Sequence, residues 1–173
     1  SLFCAMGIDV RAVSKSYLCR AIVVILVTVG TTGFDKLVQQ IDELADDSHE
    51  EFIIQIGPGT YLPKHCQYFR YEPSLDAYYE HAEVIVSHGG LATVTEVLRT
   101  GKPLVAVEDR MQPERHQQEI LKVWDEDGYL LWCKDLASIL ECIQTAKTMR
   151  FVPYEPPACD IPNIIQQFID TLR

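Results

Sequence analysis

"VIVSHGGLATVTEVLRTGKPLVAV", Val84–Val107, decides how this chain folds. A continuous apolar run reaches Ser87 and His88, and two glycines break it. A helical pattern over Ala92–Thr100 follows and carries Glu96 in its second turn. Gly101 is placed as its C-terminal stop, Pro103 prevents continuation, and "PLVAV" is again a continuous apolar run. Short β-branched runs separated by one helix describe a parallel strand–helix–strand unit buried on both faces.

The same alternation extends both ways from this unit. "AIVVILVTV", about Ala21–Val29, predicts a first buried strand, broken by "GTTG" and followed by a helix with Phe34, Leu37, Val38, Ile41 and Leu44 on one side. "FIIQI" is a second strand and "QYFRY" a short third one. Ser74 is expected to cap the helix "LDAYYEHA" before the fourth strand, "EVIVS". Beyond the fifth strand come a polar loop, a helix over Glu114–Glu126 closed by Gly128, the strand "YLLWC", and a helix capped by Asp135 that runs to about Ala146. "FVPYEPPACDIP" holds four prolines in twelve residues and predicts an extended connector. Ile161–Leu172 then reads as an amphipathic helix, expected to pack back on its own sheet, with reach toward a partner as the other reading. Six strands alternating with helices make an α/β domain: a doubly wound, Rossmann-like parallel sheet. Residues 21–150 form that domain, 1–20 an extension of unclear order, and 151–173 the connector and final helix.

Composition narrows the function. The formal charge of −10 excludes a broad nucleic-acid-binding face. Acidic residues crowd between Asp35 and Glu51, and the simplest reading is a solvated helix face and turn. Cysteines 4, 19, 66, 133, 142 and 159 show no CxxC spacing, as expected of reduced thiols in a cytoplasmic protein. Arg11, Lys15 and Arg20 before the first apolar run imitate a signal peptide, but about nine apolar residues are too few to span a bilayer. The histidines make no HExxH or similar metal pattern.

Ligands of doubly wound sheets bind beyond the carboxyl ends of the strands, where strand order reverses. Two loops fall there: Gly30–Gly33 after the first strand and His88–Thr93 after the fourth, neighbours in the usual order. Glycines admit an anion to the peptide backbone, and a helix start offers unpaired N–H groups with partial positive charge. On an acidic chain such local dipoles must do what net charge cannot. Glu96 is suited to accept both hydrogens of a ribose diol, and His116-Gln117 begins another helix on the same edge. "GTTG" is not the GxGxxG dinucleotide fingerprint, and there is no GxxxxGK[ST] loop.

"VTVGTTGFDKLVQQIDEL", the Val84–Val107 stretch and "RHQQEILKVWDEDGYLLWC" together resemble the C-terminal domain of glycosyltransferase family 28 over about Ile22–Ala146. The likeness is greatest to its short single-domain members: the cytosolic subunit of a two-subunit N-acetylglucosamine transferase acting on dolichol-linked sugar, and bacterial exopolysaccharide subunits. The resemblance implies the UDP-sugar-binding half of a GT-B glycosyltransferase. It implies phosphate contacts from Gly30, Thr31, Gly33, Gly89, Gly90, Leu91, Ala92 and Thr93, and ribose contact from Glu96. Sugar contacts fall on His116 and Gln117, and the uracil cradle on Tyr71 and Glu72. No cofactor is implied beyond the UDP-sugar donor, and no metal. "SHGG" stands where "SHAG" is commoner, and the loop before His116 is short and carries Glu108 and Asp109. The chain has no room for an acceptor domain, so a membrane-anchored partner subunit is expected to bring a lipid-linked acceptor; His88 is the conceivable base on this side. A non-catalytic nucleotide-sugar-binding or regulatory subunit, or a different α/β enzyme acting on nucleotide sugars, stays open on the same residues.

Overall fold

A computed structural model describes residues 24–109, 116–156 and 160–171, with only the backbone of His116. Six parallel strands lie in the order β3-β2-β1-β4-β5-β6. They are β1 (Val24–Thr28), β2 (Glu51–Gln55), β3 (Gln67–Phe69), β4 (Ala82–His88), β5 (Leu104–Val107) and β6 (Leu131–Cys133). The predicted start of the first strand, residues 21–23, lies outside the described residues. Between and after the strands run α1 (Asp35–Asp47), α2 (Asp76–His81), α3 (Leu91–Leu98), α4 (His116–Glu126), α5 (Ile139–Thr148) and α6 (Ile161–Thr171).

Alternate residues of each strand feed two cores, as the period of a pleated strand requires. Ile25, Val27, Val84 and Val86 join Leu37, Val38 and Ile41 of α1 and Ile139 and Ile143 of α5 on one face. Leu26, Ile85, Leu104 and Ala106 join Tyr79 of α2, Val94 and Val97 of α3 and Leu121 of α4 on the other. The result is the expected doubly wound sheet, with the order reversing between β1 and β4.

Local chemistry sets the ends. Gly101 and Gly128 adopt φ of 69° and 77° where α3 and α4 stop, a conformation that favours glycine. Asp135 accepts from the Ala137 N–H at the head of a short 3-10 turn, Leu136–Ser138, that leads into α5. Ser74 differs from expectation: its hydroxyl accepts from the Asp76 N–H at 3.1 Å, in a turn one residue ahead of the helix cap at Leu75. Lys147 of α5 bonds Glu50 at 2.7 Å and Glu83 at 3.0 Å, clamping the strand ends opposite the Gly30 and His88 loops. Lys147, with the Gln144 amide beside it, sets the Glu50 carboxyl below its usual range.

The acidic run is only in part the solvated face predicted: Glu43, Asp46 and Asp47 are exposed, but Asp42 is not. Asp42 of α1 is only 1% exposed. Its carboxylate accepts from the N–H groups of Lys64, His65 and Cys66 and from the Tyr61 hydroxyl. Asp35 likewise accepts from the Thr60 N–H at 3.0 Å. Asp35 and Asp42 therefore hold the long loop between β2 and β3 to the body. Burial pushes the Asp42 carboxyl up, but its donors more than reverse this and set it below its ordinary 3.8.

Past α5 the connector begins on the body: Val152 N–H bonds the Gly128 carbonyl at 2.9 Å, and Tyr154 meets Trp124 and Tyr129 edge-on. The final helix departs from the expectation that it packs on the sheet. None of its residues is buried, and Ile161, Ile164, Ile165, Phe168 and Ile169 are 42–63% exposed.

Two measurements follow. Asp42→Asn is expected to cost about 2–4 kcal/mol in urea unfolding, because three part-buried N–H groups and a hydroxyl lose their anionic acceptor. Since the folded carboxyl titrates low, the wild type's advantage is present above pH 3.8 and disappears as pH falls through the folded value. Deleting residues 161–173 is expected to change stability by under about 0.5 kcal/mol in the same assay, because α6 buries nothing.

Candidate functional site

Parallel pairing of β1 with β4 places Thr28 beside Ser87, so the two loops leave the sheet side by side. Their contact is close. Gly30 has φ of 61°, and a Cβ added there would lie 2.9 Å from His88 Cε1 and 3.0 Å from Thr93 Oγ1. Only a glycine brings the first loop against the start of α3 this tightly. At Gly90 an added Cβ would collide with His88 Nε2, and at Gly89 it would lie 2.7 Å from Leu121 Cδ1 and 3.4 Å from Gln117 Oε1. The imidazole is thus sandwiched between the loops, and α4 abuts the second of them.

The first loop is braced from beneath. Its Gly30 N–H bonds Thr28 Oγ1 at 3.2 Å, and the Thr28 hydroxyl donates to Gln55 Oε1. An added Cβ at Gly57 would be 2.7 Å from the Gly30 carbonyl oxygen. Arg70 Nη1 donates to the carbonyls of Gly57 and Gly59 at 3.0 and 2.9 Å and fixes that supporting turn. Thr31 and Gly33 are exposed at the rim. Gly33 and Asp109 line one open cleft, so the loop after β5 meets the loop after β1. Glu108, beside Asp109, accepts from the Gln118 amide.

The hydrogen bonds divide the glycine loop's work. Gly89 N–H is committed to the Val107 carbonyl at 2.7 Å, and Gly90 N–H to the His88 carbonyl at 2.8 Å. Gly90 caps α3 without a side-chain bond. The first N–H groups of a helix have no intrahelical acceptor, which leaves those of Leu91, Ala92 and Thr93 to face a ligand. The two glycines supply room and shape, while the next three residues supply donors and positive potential.

His88 is 6% exposed, and its Nδ1 has no hydrogen-bond partner among the described residues. Burial lowers its pKa, opposed by the Thr28 backbone and by Asp109, so the ring is neutral near pH 7. A residue so enclosed is better placed to shape the loops than to collect a proton from an incoming substrate.

Glu96 lies one turn further along α3 and lines an open groove of about 500 Å³ with Asp76, Tyr79, Ala92, Thr95, Arg99 and Thr100. Ala92 joins the groove to the helix start. Tyr71 and Glu72 are exposed in the loop after β3, at the sheet edge, and are not among the residues lining the groove. Gln117 reaches Gly89, whereas the side chain of His116 lies outside the described residues. Sequence reasoning missed Asp76 and Tyr79. Nothing in a local pattern says that α2 forms the far wall of this groove. No three His, Cys, Asp or Glu side chains among the described residues are grouped to hold a metal ion, and no described helix is long and apolar enough to cross a membrane.

Strand order, glycine turns and an open helix start define a Rossmann-like domain of the type that forms the C-terminal half of GT-B glycosyltransferases. Residues 24–150 match the glycosyltransferase family 28 C-terminal domain, and the chain belongs to that family. The human UDP-N-acetylglucosamine transferase subunit ALG13 is 31% identical over 142 residues, covering 75% of this chain and 12% of the human protein. This chain therefore spans about an eighth of that relative's length. A solution structure of ALG13 superposes with a TM-score of 0.54 at 17% identity, covering 87% of this chain and 96% of that one. The crystal structure of Acinetobacter baumannii MurG gives 0.54 at 19% identity, covering 87% and 41%. At these identities the two structures attest the fold alone.

Gly30→Ala is expected to cost about 2–4 kcal/mol in urea unfolding, through left-handed backbone strain plus collision with His88 and Thr93. Gly101→Ala is the control. It shares the positive φ but has nothing within 4 Å of the added carbon, and should cost only about 1–2 kcal/mol.

Proposed function

We propose that this chain is the donor-binding part of a UDP-sugar-dependent glycosyltransferase. The observation that carries the reading is the closure of the Gly30 loop on His88 and Thr93 at the open start of α3, with Glu96 one turn away on a groove. The free N–H groups of Leu91, Ala92 and Thr93 hold the diphosphate, the Glu96 carboxylate takes the ribose diol, and Gln117, beside Gly89, faces the sugar. Gly30, Gly33, Gly89 and Gly90 allow the close approach, and Thr31 adds a hydroxyl at the rim. Membership of family 28 supports the reaction class, and the relatives' name supports N-acetylglucosamine as the transferred sugar. An exopolysaccharide product has no support among those names.

Glycosyl transfer needs a stabilised leaving group and a base for the acceptor hydroxyl. The first task suits this chain: charge that develops on the departing UDP meets amides already aimed at it. The second does not, since His88 is enclosed and held neutral by burial. A second subunit supplies the base and presents the lipid-linked acceptor at the membrane's cytoplasmic face; the relatives' designation as a subunit supports such a division.

Isothermal titration with UDP and UDP-N-acetylglucosamine tests this. Micromolar to submillimolar binding is expected, weakened by about tenfold or more in Glu96→Ala as two charge-assisted hydrogen bonds are lost. Transfer is expected only when an acceptor-binding subunit is added. No heat from either ligand, or an unchanged affinity in Glu96→Ala, would remove the assignment.

A further inference from the structure

The floor of the Glu96 groove holds a group with no structural duty. Tyr79 is 2% exposed, its ring packed in the core beneath α2 and α3. Its hydroxyl is buried and makes no well-formed hydrogen bond among the described residues, although the Glu96 carboxylate stands within reach of it. The residue nonetheless lines the groove together with Glu96, Asp76 and Thr95. A phenylalanine would fill the same core space without stranding a polar atom, and an unmatched buried hydroxyl costs about 1–3 kcal/mol. The oxygen ends beside Glu96, close enough that the glutamate's charge, after burial itself, raises the tyrosine's pKa. Asp76 stands on the same wall and adds to that effect. The hydroxyl therefore remains a neutral donor at any ordinary pH and has a carboxylate as its natural acceptor.

We infer that Tyr79 is a positioning residue for ribose recognition: its hydroxyl turns the Glu96 carboxylate inward over the groove, so that both carboxylate oxygens present to the two ribose hydroxyls. This rests on the donor-site reading above. Glu96 is exposed, and a glutamate on an exposed helix face samples several rotamers. One donor fixed by a buried ring selects the productive one before the ligand arrives, and the ligand then finds a formed acceptor pair. Tyr79 itself contacts the carboxylate and not the reacting atoms.

The test compares UDP with 2′-deoxy-UDP on the full chain by isothermal titration, in wild type, Tyr79→Phe, Glu96→Gln and the double variant. The wild type should prefer UDP. Tyr79→Phe should unfold within a few degrees of the wild type, bind UDP about tenfold more weakly, and lose clearly less for 2′-deoxy-UDP, which leaves the carboxylate only the 3′-hydroxyl. In Glu96→Gln, adding Tyr79→Phe should lose little more, because the tyrosine acts through the carboxylate. Equal loss for both nucleotides, full additivity in the double variant, or a clearly lower unfolding temperature in Tyr79→Phe would each overturn the inference. A wild type that binds both nucleotides equally would remove the ribose assignment of Glu96, and this inference with it.

Discussion

Everything at this site depends on how closely two peptide loops approach each other. β1 and β4 are hydrogen-bonded neighbours, and each ends in a glycine turn at the same height. Contact between Gly30, His88 and Thr93 turns that adjacency into a packed unit. A side chain at position 30 would part the loops and open the head of α3 to disorder. The constraint is steric before it is electrostatic. Charge complementarity becomes useful only because the donors are already held in one place.

The bracing extends well behind the ligand face. Gly57 sits under the Gly30 carbonyl, Arg70 holds the Gly57–Gly59 carbonyls, and Asp42 gathers the N–H groups of Lys64, His65 and Cys66. These contacts lie between elements far apart in the chain, and each uses a polar group to fix a loop with little apolar surface of its own. The helix α1 thus has two roles: an apolar face that covers the sheet and an acidic edge that anchors the loop which supports the Gly30 turn.

Much of this was legible in the residues. Strand periodicity, the two glycine turns and the placement of Gly101 and Gly128 are local signals, and they gave the strand count, the sheet order and the edge where a ligand belongs. What was not legible depends on distant partners. Asp42 looks like any helix acid until the loop twenty residues later folds over it. The same holds for Tyr79, which reads as a core aromatic because its relation to Glu96 exists only once α2 and α3 lie side by side. α6 has a clear amphipathic period, yet a period says which residues share a face and not what that face covers. The family resemblance carried the residue roles, and the geometry redistributes them: Gly89 and Gly90 spend their own amides on the Val107 and His88 carbonyls, and the next three residues open the helix, where N–H groups have no intrahelical acceptor.

The arrangement at the head of α3 also governs how the site responds to its medium. Under the proposed reading the ligand's diphosphate meets peptide N–H groups at the head of α3, on a chain of net charge −10. Few condensed counterions need be displaced, and fixed amides a few ångströms from their target lie well inside the screening distance of an electrolyte of physiological strength. Affinity built this way is nearly indifferent to ionic strength, and other polyanions in a crowded compartment gain no hold on the protein merely by being charged.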